Sequence, residues 1–454
     1  MTNTPDTGGN LRHVALLILA CFFLASTGWL LWLYHLTTLV EPQSVGILTM
    51  GIGYPMQALG ICAFILYEPK RSGRRVLHTT QASIAASVVC LIPATLAPDL
   101  VSTLAFGYLA SLLFGYAQGF YLFCLSRYVE ENRRGVVFGA SYAVSTVLSW
   151  VLSTLAGGTL VRGVTGLCVC GLLAVAAVLS VRQMDEAEGV EREKALSGID
   201  GKTIILACVV VTLMSLTKGA GFSFPTTDLQ GGVSLELSRV LYGVGLFVAG
   251  LASDRDRRYG AICCAAALVM PFLMLALASA SAPATIVWAL AYLLNGFFSV
   301  FRVVLLADLA AARGNHRMAG LGLLFGRVGD AVGTILSVAL AATPLALITV
   351  TSVLFACTVA LFFALFQQCY ELPAASEPSE RELFERFAAR HDLSARERDV
   401  LRLLLAEQSN SEIAAALFVS ESTIKFHVRN LLKKTGCKNR LELLALYGGV
   451  TREG

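Results

Sequence analysis

The sequence predicts an all-α protein in two parts, a twelve-helix transmembrane bundle followed by a small water-soluble domain of four helices, and three observations carry the prediction. First, 56% of the 454 residues are hydrophobic and only 15% are charged, whereas about a quarter of an ordinary soluble domain is charged. Second, runs without charge recur from Val14 to Phe366, each near the roughly 20 residues that a helix needs to cross about 30 Å of hydrocarbon. Third, from about Gln367 to Gly454 the chain turns polar, charged and helix-patterned, which marks a separate soluble unit. The net charge of +4 says little about partners; where the charges sit says more.

The apolar stretches predict spans at 14–34, 44–67, 77–97, 101–125, 135–155, 164–181, 203–217, 240–251, 261–280, 284–307, 319–341 and 344–366, the eighth being drawn short and expected to begin near Leu235. The organisation is then a short segment 1–13, a six-span half 14–181, a loop 182–202, a second half 203–368, a tether 369–392 and a domain 393–454. The even-numbered loops carry sixteen basic residues, among them Lys70, Arg74, Arg134, Arg192, Arg257 and Arg317, and the opposite loops carry three, Arg162, Lys218 and Arg239. Basic residues stay on the cytoplasmic side, so both termini are expected in the cytoplasm, with the chain in the inner membrane. Eleven of the twelve cysteines lie in or beside apolar spans, which argues for buried apolar thiols and against a disulfide framework or a zinc site. Cys21 faintly resembles a lipoprotein cleavage site, but the apolar stretch continues beyond it, as an uncleaved first span does.

The halves echo each other. Phe138-Gly139, Ala143-Val144, Thr146 and Leu148-Ser149 recur as Phe325-Gly326, Ala331-Val332, Thr334 and Leu336-Ser337, and Gln118-Gly119-Phe120 recurs as Asn295-Gly296-Phe297. A six-plus-six parallel repeat is how major facilitator transporters are built. Gly250, Asp254, Arg255, Arg257 and Arg258 after span eight resemble that superfamily's G-x-x-x-D-R-x-G-R-R loop, with Arg257 in place of its second glycine. Arg71, Gly73, Arg74 and Arg75 resemble the tail of the same loop motif, with Lys70 where its aspartate belongs. The resemblance implies a major-facilitator-like bundle with a solute cavity between the halves. The superfamily's span-four arginine motif appears as Gly115, Gln118 and Gly119 without the arginine, which puts proton-coupled transport in doubt and leaves uniport or ligand binding open.

Arg302 in span ten and Arg327 and Asp330 in span eleven cost about 2.5 to 3.5 kcal/mol each at mid-bilayer on insertion scales, so they must face a cavity or a partner. Two readings stand: an ion pair of Asp330 with one arginine that locks the packing, or a site whose surplus positive charge receives a small anionic ligand. His35, Gln57, Gln118 and Asn295 are candidate cavity groups, each equally readable as a helix-to-helix hydrogen bond. Gly198, Gly201, Lys202 and Thr203 look like the end of a phosphate-binding loop, but the spacing is short by two and no strand precedes it.

In the polar C-terminal part, Ser379 and Glu382 form a capping box for a short helix bearing Leu383, Phe384 and Phe387, which reads as a tether. Helices follow at roughly 395–406, 411–417, 421–434 and 439–447, with Val400, Leu401, Leu404, Ile413, Ala414, Leu417, Val419, Ile424, Val428, Leu431 and Leu441 as a shared core and Ser420 as the N-cap of the third. That third helix carries Lys425, Arg429 and Lys433 at spacings of four, and no acidic residue occurs between 425 and 440. A helix of about 10 Å diameter fits the DNA major groove, where Lys and Arg reach guanine acceptors. Leu393-Ser394-x-Arg396-Glu397, Ser409-Asn410-x-Glu412-Ile413-Ala414, Ser420-x-x-Thr423-Ile424-Lys425-x-His427 and Lys434-x-Gly436-x-x-x-Arg440 resemble the LuxR-type helix-turn-helix family, with Glu407 in place of its usual glycine. The resemblance implies that Lys425, Phe426 and Arg429 read bases, with Asn410, Thr423, Lys433 and Arg440 nearer the DNA backbone.

The expected function is a membrane-anchored transcription regulator in which the transporter-like bundle senses a small molecule and controls the DNA-binding domain, including its pairing as a homodimer on double-stranded DNA. The alternatives are an active solute transporter with a fused regulatory domain and a DNA-binding module merely anchored to the lipid bilayer. With no receiver or soluble ligand domain in the 454 residues, the signal is expected to enter through the bundle or the tether. No Ser/His/Asp, paired-carboxylate or metal constellation falls on a single polar segment, so neither an enzyme nor a cofactor is expected.

Overall fold

A computed structural model describes residues 7–67, 73–156, 160–185, 201–221, 235–272, 284–370, 380–406 and 408–453. Among them the chain is all-helical and divides into two compact units, Met1–Tyr370 and Glu371–Gly454. The expected loop motif residues Lys70 and Arg71, most of the 182–202 loop, the capping box at Ser379 and the substituted glycine position Glu407 lie outside the described residues.

The first unit is a helix bundle: α1 (Thr7–Leu39), α2 (Pro42–Gly46), a π-helical segment (Ile47–Ile52), α3 (Gly53–Tyr67), α4 (Gly73–Leu96), α5 (Leu100–Tyr128), α6 (Arg134–Ala156), α7 (Leu160–Asp185), α8 (Gly201–Gly221), α9 (Leu235–Arg255), α10 (Arg257–Ala267), α11 (Ala284–Ala312), α12 (Leu321–Ala339) and α13 (Pro344–Tyr370). Ten of the spans among the described residues are long and apolar enough to cross a membrane. The eighth expected span is α9, which begins at Leu235; it is not one of the ten, and Glu236, Arg239, Asp254 and Arg255 lie at its ends. The ninth is described from Arg257 only as far as residue 272.

The repeat read in the sequence has a packing counterpart. α6 lies against α9 and its repeat partner α12 lies against α3, so the two halves meet through equivalent helices. Within each half the corresponding crossing is made backbone to backbone at glycine: a Cβ on Gly60 would fall 2.0 Å from the Leu112 carbonyl oxygen, and one on Gly245 1.9 Å from that of Leu293. Tight crossings of this kind suit helices that associate in lipid by van der Waals packing.

The transporter-like loop motif ties the halves together at one end of the bundle. Asp254 accepts hydrogen bonds from the backbone N–H groups of Gly135 (2.8 Å) and Val136 (2.6 Å), so it caps the start of α6. Arg257, the residue in place of the motif's glycine, pairs with Asp254 and with Asp308 of α11, both at 2.7 Å, and Arg134 reaches the other oxygen of Asp308 at 2.8 Å. Asp308 is the residue that sequence reading passed over; a carboxylate at the inner edge of a span was its signal.

The second unit comprises α14 (Glu380–Arg390), α15 (Ala395–Leu405), α16 (Asn410–Ala416), α17 (Glu421–Thr435) and α18 (Arg440–Glu453). Its core holds Val400, Leu401, Leu404, Ile413, Ala414, Ile424 and Leu431 as expected, with Leu417 and Val428 packed against them. Three expectations need correction. Leu441 is 78% exposed and Leu443 is buried in its place, because the inward face of α18 passes through Leu443 and Tyr447, one turn apart. Val419 is also exposed, in the turn between α16 and α17. The helix read as a tether belongs to the fold: Phe384 and Phe387 are buried in the same core, and the Phe387 ring meets Tyr447 edge-on at 5.2 Å.

Candidate functional site

The soluble unit presents one well-anchored basic helix. Ser394 and Glu397 form a full capping box at the start of α15, and Ser409 and Glu412 form another at the start of α16; both are Ser-x-x-Glu signals visible in the sequence. Ser420 caps α17 by accepting from the Thr423 N–H at 3.2 Å. α17 ends at Gly436 with φ +75°, a left-handed conformation that glycine adopts without strain. Glu397 is buried and receives the Lys434 ammonium at 2.8 Å. Burial alone would raise its carboxyl, but that ammonium together with the Ser394 amide and hydroxyl outweighs the desolvation and holds it below the usual carboxylate range.

These anchors leave Lys425, Phe426, Arg429 and Lys433 exposed on α17. Phe426 is 58% exposed, and Lys425 makes a single solvent-exposed ion pair with Glu421 at 2.9 Å. Asn410 opens α16, and the Thr423 hydroxyl lies 2.8 Å from that of Ser420. Two members of the basic run are used inside the domain. Lys434 holds Glu397 and the Asp392 carbonyl. Arg440, expected near the DNA backbone, donates to the carbonyls of Gln408 (2.8 Å) and Leu404 (3.2 Å), closing the C-terminal end of α15. Its guanidinium is therefore engaged where helix-end carbonyls need donors.

In the bundle, the three charges expected at depth converge on one cavity of about 140 Å³ lined from both halves. Asp330 of α12 is buried and pairs through one oxygen with Arg302 of α11 at 3.0 Å. Its other oxygen pairs with Lys218 of α8 at 2.7 Å. Lys218 thus corrects the sequence reading, which placed it in an outer loop: it lies within α8, near its end, and turns into the bundle. Arg327 makes no ion pair among the described residues and stacks over the Tyr54 ring, its central carbon 4.0 Å from the ring centroid. Three cations against one carboxylate leave two surplus positive charges at the cavity. Gln57, Gln118 and Asn295 also line it. His35 does not; its Nε2 lies 2.7 Å from the carbonyl of Ala97, just beyond the end of α4, so its bond reaches a loop and not a second helix. Tyr54 and Gln57 follow the π-helical segment, whose Met50 lines the same cavity; irregular turns of this kind recur at functional positions in helices.

Comparison with known proteins bears out the resemblance at both ends of the chain. Residues 391–447 match the family described as bacterial regulatory proteins, luxR family. The chain is 46% identical over 55 residues to a nitrate/nitrite response regulator protein homolog of Haemophilus influenzae, covering 12% of this chain and 26% of that protein. It is 41% identical over 54 residues to the spore germination protein GerE of Bacillus subtilis, covering 12% of this chain and 73% of that protein. The chain spans about a quarter of the length of the first curated relatives it matches. The crystal structure of the human organic anion transporter MFSD10 matches with a TM-score of 0.59 at 15% identity, covering 79% of this chain and all of that one. At that identity the likeness shows a major-facilitator transporter fold and nothing about cargo.

Proposed function

We propose that this chain, which belongs through residues 391–447 to the luxR family of bacterial regulatory proteins, is a membrane-anchored transcription regulator whose transporter-like bundle senses a small anion and controls the DNA-binding unit. It acts as a regulator and not as an enzyme. Lys425, Phe426 and Arg429 read base edges in the major groove of double-stranded DNA, and Asn410, Thr423 and Lys433 meet the phosphates. Two copies pair as a homodimer on the DNA. The bundle sits in the inner membrane with both termini in the cytoplasm, a reading supported by the sixteen basic residues of the even-numbered loops.

The observation that carries the sensing reading is the set of three cations around one carboxylate in a cavity formed by both halves. A buried excess of positive charge is costly, and an anion removes the cost. Such a ligand shifts the regulator only through its differential affinity for the bundle's states. The test is a promoter reporter titrated with candidate anions in cells carrying the full-length protein. Arg302→Gln and Arg327→Gln should remain in the membrane, keep DNA binding and stay at the uninduced output. A normal dose-response in both variants at normal abundance removes the reading. The transporter-like bundle with its lined cavity favours a second reading, a working solute transporter with a fused regulatory domain; radiolabelled flux in proteoliposomes separates the two.

A further inference from the structure

We infer that the cavity is built for one small aromatic carboxylate that also carries a hydrogen-bond donor such as a hydroxyl. The inference rests on the sensing reading above and names the ligand class of that same cavity.

The anionic end follows from how the three cations are used. Both oxygens of Asp330 are committed, one to Arg302 and one to Lys218. Arg327 alone lacks a carboxylate among the described residues, and its Nε is buried without a hydrogen bond. Tyr54 sits against the guanidinium, its ring centroid 4.0 Å from the central carbon, and the guanidinium keeps an edge of parallel N–H groups. That edge matches a planar carboxylate two bonds at a time. A single carboxylate suffices for that edge, because Arg302 and Lys218 are already held on Asp330.

The body of the ligand is set by a wall of rings. Phe22 and Tyr142 are stacked at 3.7 Å with planes 15° apart, and Tyr242 meets Tyr142 edge-on at 5.3 Å. These side chains come from α1, α6 and α9 and line the cavity. Rings so arranged favour an aromatic body over a saturated one of the same size. A cavity of about 140 Å³ holds a single ring and its substituents, not a polycyclic solute.

Two orphaned acceptors line the same cavity. Gln118 is 1% exposed, lines the cavity, and its Oε1 has no hydrogen-bond partner; the Oε1 of Gln57 is likewise unpartnered. Buried amide oxygens are costly when unpaired, and a donor on the ligand satisfies them. Because Gln57 and Gln118 belong to the first half and Arg327 to the second, a ligand held by both sets links the halves and binds best to one arrangement of them.

The experiment uses the full-length protein in lipid nanodiscs and four probes, 4-hydroxybenzoate, benzoate, phenol and cyclohexanecarboxylate, with Kd from calorimetry and the shift in Tm as readouts. 4-Hydroxybenzoate should raise Tm in a dose-dependent way, benzoate should bind about tenfold more weakly for want of one hydrogen bond, and phenol and cyclohexanecarboxylate should give no shift. Arg327→Gln should abolish the response to both aromatic acids. Gln118→Leu, an apolar replacement of similar size, should bring 4-hydroxybenzoate down to the level of benzoate and leave benzoate unchanged. No shift with either aromatic acid in the native protein, equal binding of cyclohexanecarboxylate, or unchanged binding after Arg327→Gln overturns the inference. The promoter reporter keeps the two readings apart. A non-aromatic anion that induces through Arg302 and Arg327 overturns this ligand class and leaves sensing intact, whereas tight binding of 4-hydroxybenzoate with a flat reporter supports the ligand class and overturns sensing.

Discussion

Lys425 and Arg429 stand one turn apart on the exposed face of α17, and only the exposed Glu421 competes for Lys425. An exposed pair of this kind is worth little, so both cations are available to bases. Lys425→Ala and Arg429→Ala should each cost about 1 to 3 kcal/mol of specific affinity in a binding titration with the target duplex, while Lys433→Ala should weaken all sequences alike and lower the salt slope by about one. Equal, sequence-independent losses in all three would argue against direct readout. Glu397 gives a prediction about pH. Its carboxyl is held below the ordinary carboxylate range by Lys434 and Ser394 against the opposing effect of burial. A group depressed in the folded state adds stability that is present above its unfolded value and is lost as pH falls through the folded one. Protection factors of α15 and α17 amides in the native protein, corrected for the intrinsic pH dependence of exchange, should therefore fall as the solution is acidified through the carboxylate range, and Glu397→Gln should flatten that dependence while lowering protection near neutrality.

Among the elements, α8, α11 and α12 are joined by one carboxylate, and the energetics of the bundle interior turn on it. Removing one partner of a buried pair leaves uncompensated charge and costs about 3 to 5 kcal/mol. Asp330→Asn should lower the amount of protein in the membrane, measured by quantitative blotting. Neutralising both of its partners, with Lys218→Met and Arg302→Met in the same chain, should restore it. Failure of the triple variant to recover would mean that Asp330 has a task beyond balancing these two cations. In the soluble unit, α14 packs its Phe384 and Phe387 into the core around α18, so the compact unit that carries the basic helix includes residues upstream of 393.

At the scale of the whole molecule, the basic bias of the loops and the helix order make one topological statement. Reporter fusions after Ser72, Arg192 and Gly454 should report cytoplasm, and fusions near Pro98 and Asp228 the outside. A C-terminus on the outer side would separate the DNA-binding unit from DNA and sink the regulatory reading. Returning Lys218 to the bundle interior takes one cation away from the sparse side, so the bias is stronger than the sequence count implied.

The sequence by itself determined the two-part plan, the apolar helices, the echo between the two halves and the basic helix after Ser420. Each of these is written in local terms, as run length, periodicity, capping residues and motif spacing, which neighbouring residues in the chain suffice to express. Only the tertiary structure decided the fate of particular side chains. It turned Lys218 inward to Asp330, committed Arg440 and Lys434 to carbonyls and a carboxylate of their own domain, exchanged Leu441 for Leu443 in the core, and brought Asp308 between Arg134 and Arg257. The reason is common to all four. A charged or apolar residue near a helix end has two environments within reach of its side chain, and the choice is made by partners from helices remote in sequence, whose positions no local pattern records.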